Sequence, residues 1–224
     1  MLNQKVLRQA APLRLQVVEK IRSSIIEGRF LPGTRIKERQ LIEMLDVSRT
    51  VIRESLRQLE SENLIIIEPQ KGPKVKEISL IEVAEIYQVR KALEVLAVQQ
   101  FIQNENDRGY RMLKKAHEIL VNAFDEDDPK GLYEAKNNFF KVIFERCGNN
   151  ILKDLLEALS SQLWRLRIMG LSHPNRNPER QERSKNNLLA LYNAITACDI
   201  NRAESVMKIE VDDARDEACR LVSA

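Results

Sequence analysis

Only two histidines occur in this chain, and their scarcity excludes a good deal of chemistry. Two isolated imidazoles leave little general acid–base capacity, and no nucleophile elbow, P-loop, HExxH or dinucleotide fingerprint appears. An enzyme is not expected. No apolar run approaches the roughly 20 residues of a membrane span, and the opening MLNQKVLRQAAPLRLQ holds no apolar signal core. The cysteines number three, Cys147, Cys198 and Cys219, widely spaced and without a CxxC pair. That argues against a disulfide framework and for a reducing, cytoplasmic setting, with the thiols as small core fillers. Glycine and proline are scarce too, at seven each among 224 residues, while 31% of residues are charged and 43% hydrophobic. Such a composition describes an ordered, helix-rich chain rather than a disordered one.

What is present is an uneven distribution of charge. Residues 1–76 hold 15 Lys+Arg against 9 Asp+Glu, whereas residues 77–224 hold 21 against 24. A basic first third on an acidic remainder implies that only the first part meets a polyanion. Two domains are expected, at 1–76 and 79–221.

The first domain reads as three short helices and a hairpin. Leu15, Val18, Ile21, Ile25 and Ile26 form a helical stripe that Gly28 would cap. "FLPGTRI" reads as a turn, and a short helix follows with Leu41, Ile42 and Leu45 inward. "DVS" breaks the chain at 46–48, and Ser48 caps the helix of "VSRTVIRESLRQLE". "LIIIE" (64–68), a "PQKGP" turn and "KVKEI" (74–78) read as two strands. From Ser79 on only helices are expected: 79 to about 104, then near 108–123, 128–147, 149–170, 177–198 and 199–221. Ser79 with Glu82 forms a capping box, and Asp128-Pro129 and Asn177-Pro178 are N-cap and N1 pairs. The fold class is therefore mainly α, a winged helix-turn-helix (three helices plus a small β-hairpin) followed by an all-α bundle. His117, on a helix rich in Lys and Glu, reads as a surface residue.

In "VSRTVIRESLRQLE", Ile52, Leu56 and Leu59 keep an apolar stripe while Ser48, Arg49, Thr50, Arg53 and Arg57 crowd elsewhere. The second helix of a helix-turn-helix lies in the major groove, and its first residues reach base edges. Arg49 and Arg53 stand one turn apart, and a guanidinium fork fits guanine O6 and N7. Ser48 and Thr50, at the positive end of the helix, suit phosphate oxygens. Arg39 is placed for the DNA backbone, Arg57 for phosphate or solvent. In the wing, Gly72 permits close approach while Lys71 and Lys74 add charge.

The stretch from Glu27 to Val75, densest at "VSRTVIRESLRQLE", resembles the winged helix-turn-helix of the GntR superfamily of bacterial transcription regulators. The resemblance implies DNA contacts at Arg39, Ser48, Arg49, Thr50, Arg53 and Gly72. Asn63 stands where that family usually has glycine, and asparagine tolerates the same left-handed turn. "VRKALEVLAVQQF" (89–101), "FFKVIFERCGNNIL" (139–152) and "LYNAITACDINRAESVMKIEV" (191–211) resemble the FadR-type effector domain, the FCD type. Many such domains hold a divalent metal with one Asp and three His. Here those positions are Lys136, Phe140, Leu188 and Glu210, and two histidines cannot make a three-histidine site. No metal or other cofactor is expected. An anionic effector would instead meet cations at Arg90, Lys136, Arg165 and Arg167, with Phe140, Trp164 and Leu188 as apolar wall. For the cations surface salt-bridging is the other reading, and for Phe140 and Trp164 a plain core role. Glu210 could equally pair with Lys136 and close the site.

The resemblance implies a homodimer on a palindromic operator, usually a repressor released by its ligand. A constitutive DNA-binding protein without an effector would share the module and need no cavity.

Overall fold

The computed structural model describes residues 10–26, 29–30, 32–126, 128–172 and 177–223, with the side chains at 10–12, 26, 160–162, 164–165 and 167–172 outside the description. Gly28, the expected cap of the first helix, and the side chain of Ile26 thus lie outside the description. The chain divides into two compact units, 1–78 and 79–224.

In the first unit, α1 (Ala10–Ile26) packs on α3 (Arg49–Ser61) and α2 (Glu38–Leu45) also packs on α3. The α1 stripe is rotated from the one expected: Leu15 is 52% exposed, and Val17 joins Val18, Ile21 and Ile25 in the core. This rotation lets Arg22 grip Glu62 of the α3 cap through two bonds of 2.6 and 2.8 Å, while the Ser55 hydroxyl, bonded to the Val51 carbonyl, lies 3.4 Å from the Arg14 carbonyl. Ile52, Leu56 and Leu59 of α3, with Leu41, Leu64, Ile65 and Val75, complete this apolar cluster. Leu41 is buried as expected, while Ile42 and Leu45 pack on its margin.

The wing is an antiparallel pair, β1 (Ile65–Glu68) and β2 (Gly72–Val75), in register Ile65↔Val75 through Glu68↔Gly72. The second strand therefore starts earlier than the expected 74–78. Gln70 and Gly72 both take left-handed φ (63° and 83°), closing the turn in three residues instead of five. "FLPGTRI" is also more than a turn. Ile36 N–H donates to the Pro73 carbonyl (2.8 Å) and Val75 N–H to Thr34 (2.9 Å), so this segment pairs along the free edge of β2.

The second unit consists of α4 (Leu80–Asn104), α5 (Asp107–Phe124), α6 (Pro129–Arg146), α7 (Asn150–Ser172), α8 (Pro178–Thr196) and α9 (Ile200–Val222). Local chemistry explains each start. The Ser79 hydroxyl accepts from Glu82 N–H (3.1 Å), Asp128 from Lys130 N–H (3.0 Å), Asn149 from Leu152 N–H (3.0 Å) and Asn177 from Glu179 N–H (3.0 Å). Gly148, at φ 81°, supplies the left-handed residue between α6 and α7. Helix α4 lies against α9 in antiparallel sense, for Lys91 bonds Asp212 (2.9 Å) and Gln99 bonds Glu204 (2.9 Å). Phe101, Leu113, Leu132, Phe139, Ile143, Leu191 and Met207 form the interior.

Two expectations are corrected. His117 is half-buried, its ring stacked on Tyr192 at 3.9 Å and 11°, because α5 turns it toward α8. Of the cysteines only Cys147 is a buried core residue; Cys198 is exposed, in the left-handed residue (φ 56°) between α8 and α9.

Burial predicts how substitutions divide. Phe139, with 0% exposure, should lose about 3–5 kcal/mol on change to Ala, by transfer and cavity costs together. Leu15→Ala should stay within about 0.5 kcal/mol, as for exposed positions. Urea unfolding of the two variants would check this, and equal losses would contradict the placement of α1.

Candidate functional site

The basic face is built at the turn between α2 and α3. Asp46 adopts a left-handed conformation (φ 49°) and its N–H donates to the Ile42 carbonyl at 3.0 Å, ending α2 abruptly. Ser48 then caps α3, its hydroxyl accepting from Val51 N–H at 3.4 Å. Arg49 and Thr50 follow in the first turn, both exposed. Arg49 and Arg57 make no ion pair among the described residues, whereas the two cations nearest α2 are held by it. Arg53 Nε donates to both Glu38 oxygens (3.1 and 3.2 Å), and Arg39 Nε donates to Glu43 (2.9 Å). Exposed pairs of this kind are weak, so a phosphate or a base edge can take over either guanidinium.

In the wing, Lys71 is exposed and Lys74 pairs with Glu77 (3.2 Å). A Cβ at Gly72 would meet nothing within 4 Å, so its positive φ, not space within the protein, calls for glycine. Arg35 was not among the expected contacts. It reaches the wing from the edge segment, donating to the Lys71 carbonyl (3.1 Å) and lying 3.5 Å from Glu68. Its place follows from pairing across about forty residues, which no local pattern announces.

The second site is a cavity of about 70 Å³ inside the helical unit. Arg90, Lys136, Phe140 and Glu210 all line it, as do Tyr87, Tyr133, Arg180 and Ser184. Leu188 does not: it is buried in α8, one turn beyond Ser184. The side chains of Arg165, Trp164 and Arg167 lie outside the described residues. Arg180 is the residue that sequence reasoning missed. It sits at 180, 184, 188 spacing on the inward face of α8, so the helical period carried the signal.

Glu210 is the centre of the arrangement. Its Oε1 accepts from Arg180 Nη2 (3.0 Å) and the Ser184 hydroxyl (2.7 Å), and its Oε2 from Asn187 (3.1 Å). Lys136 Nζ donates to the Ser184 oxygen at 2.5 Å and stands 3.9 Å from Glu210. Burial opposes ionisation of Glu210, but the charges of Lys136 and Arg180 and the Arg180 and Ser184 bonds outweigh it, and the carboxyl stays below its usual range. Arg90, 3% exposed, donates from Nε to Glu94 (2.9 Å) and lies over the Tyr87 ring. Burial weakens its charged form, yet Glu94 and Tyr87 more than compensate and its pKa is raised. The Nη1 atoms of Arg90 and of Arg180, itself 8% exposed, are buried with no hydrogen-bond partner among the described residues.

These groups do not fit a divalent metal. Two guanidinium groups and an ammonium would repel a dication, and Glu210 already spends its oxygens on Arg180, Ser184 and Asn187. Among the described residues, no three His, Cys, Asp or Glu side chains converge as metal ligands would.

Comparison with known proteins covers both units. Residues 13–75 match the family model for bacterial regulatory proteins of the gntR family, and residues 85–212 match the FCD domain. The chain is 29% identical over 171 residues to the uncharacterised HTH-type transcriptional regulator YdhC of Bacillus subtilis, covering 76% of each protein. It is 24% identical over 168 residues to the HTH-type transcriptional repressor RspR of Escherichia coli, covering 75% of this chain and 73% of that one. The solved structure of E. coli McbR/YncC superposes with a TM-score of 0.74 at 25% identity, over 89% of this chain and 93% of the other. These relatives are regulators, not enzymes. Between them the two family models take in the recognition helix with its wing and the Glu210 cavity, and the chain belongs to the GntR family as a DNA-binding transcriptional regulator with an FCD domain.

Proposed function

We propose that this regulator is an effector-responsive repressor that binds a palindromic operator as a homodimer. The observation that carries the DNA half is the start of α3, where Arg49 stands exposed and without an ion pair among the described residues just past the Ser48 cap. In this reading Arg49 and Arg53 read base edges. Ser48, Thr50, Arg39 and Lys71 hold phosphates, and Gly72 lets the wing approach the duplex. The division of labour is by domain: 1–76 binds DNA, and 79–221 dimerises and senses the effector. It acts in the cytoplasm, where its DNA is. The name of RspR as a repressor supports the sign of regulation.

For the effector half, the two buried Nη1 atoms without partners support a small anion in the bundle cavity, among Arg90, Lys136, Phe140 and Glu210. Arg165 and Leu188 belonged to the expected set; Leu188 is buried but does not line the cavity. The Lys136–Glu210–Arg180 network favours a second reading, a constitutive DNA-binding protein, since it partly satisfies the cavity without a ligand. A ligand that prefers the non-operator spacing of the paired modules would pull the population there. A tenfold loss of DNA affinity needs about 1.4 kcal/mol of that preference.

Sedimentation should find a dimer, because one winged helix buries little surface and pairing multiplies effective concentration at a two-fold site. A monomer both free and on DNA contradicts the assembly. Arg49→Ala should cost specific binding about 1–3 kcal/mol, and Arg53→Ala should also weaken it; Lys71→Ala should weaken all sequences alike and lower the salt slope by about one. Equal losses on specific and random DNA for all three would refute the assignment of base readers. Purified protein should carry no stoichiometric zinc, nickel or manganese, and chelators should leave its melting temperature unchanged. Elemental analysis decides this, and a metal inside the bundle overturns it.

A further inference from the structure

A second void, of about 340 Å³, lies against the first. Tyr133 and Phe140 line both, so the two chambers share an aromatic wall. Past that wall Phe144, stacked on Phe140 with centroids 5.8 Å and planes 21° apart, joins the buried Leu156 and Leu163 in an apolar strip. Glu94, Asn137, Lys153 and Glu157 line the rest of the chamber, with Lys141 and Glu145, which pair at 3.6 Å.

Size separates the roles of the chambers. Ligand pockets commonly span about 300–1,000 Å³. The chamber at Glu210 is far smaller and takes no more than a carboxylate with a few waters, whereas its neighbour admits a ring-sized group. Chemistry separates them too. The Nη1 atoms of Arg90 and Arg180 are ionised donors, so what completes them must be an acceptor, best an anionic one.

We propose that the two chambers form one bipartite site for a carboxylic acid carrying a single ring-sized apolar group. The carboxylate lies on Arg90 and Arg180 in the small chamber. The apolar group lies beside Phe140 and Phe144, offset on their faces. The proposal rests on the reading of the bundle as an effector site and narrows it to a ligand class.

Isothermal titration of the full-length protein with acetate, citrate, phenylacetate, 3-phenylpropanoate and neutral phenylacetamide tests it. One of the two phenyl acids should bind at least tenfold more tightly than acetate, citrate and the amide. Leu156→Trp, which fills the larger chamber, should bring the phenyl acids down to the affinity of acetate, and Arg180→Gln should weaken every acid. If either variant fails to fold, the ranking on the unaltered protein decides. Acetate or citrate binding as tightly as the phenyl acids overturns the bipartite site while leaving an anion-binding cavity in place. The amide binding as tightly as the phenyl acids overturns the carboxylate head. Absence of binding by any acid overturns this proposal and the effector reading together.

Discussion

A buried carboxylate organises the helical unit. Glu210 on α9 is ionised in an interior that would reject it alone, where even after relaxation an isolated charge costs several kcal/mol. Its partners come from two other helices: Lys136 on α6, and Arg180, Ser184 and Asn187 on α8. The three helices are thereby locked in register, because removing one member of a buried pair costs about 3–5 kcal/mol. The adjacent Arg90–Glu94 pair on α4 feels the same carboxylate, which adds to the stabilisation of the Arg90 charge. Within this network the Nη1 atoms of Arg90 and Arg180 have no hydrogen-bond partner among the described residues.

The DNA-binding unit follows the opposite rule. Its core is apolar, and Ser55 is the buried polar side chain recorded among its described residues, satisfied by the Val51 carbonyl at 2.8 Å. Its charges stay on the surface, where Glu38 and Glu43 on α2 hold Arg53 and Arg39 through weak, exposed pairs. Such pairs orient guanidinium groups without binding them strongly, so they remain available to a polyanion. One chain thus holds cations in two ways: desolvated and fixed around the Glu210 carboxylate, solvated and loosely paired on the surface of the first unit.

Much of the architecture was legible before any coordinates, because it is local. Caps at Ser48, Ser79, Asp128, Asn149 and Asn177 set the starts of helices through side chains within three residues of the N–H they satisfy. The helical period placed Ile52, Leu56 and Leu59 inward and left Arg49 and Thr50 outside.

The tertiary structure alone decided which inward residues meet. Val17 rather than Leu15 enters the core, in the rotation of α1 that lets Arg22 grip Glu62. The segment at Thr34–Ile36 pairs with the wing through bonds to residues some forty positions away, bringing Arg35 to Lys71. Lys136 meets Ser184 and Glu210, Arg180 joins them, and Leu188 does not line the cavity. A helix's period tells which face is inward, but the choice among the residues of that face depends on rotation and depth against neighbours distant in sequence. The amino-acid sequence by itself determined a basic helix start after Ser48 and an all-helical second unit; only the packing of α4, α6, α8 and α9 decided that Lys136 and Arg180 meet Glu210 beside Arg90, with the Nη1 atoms of both arginines without a hydrogen-bond partner among the described residues.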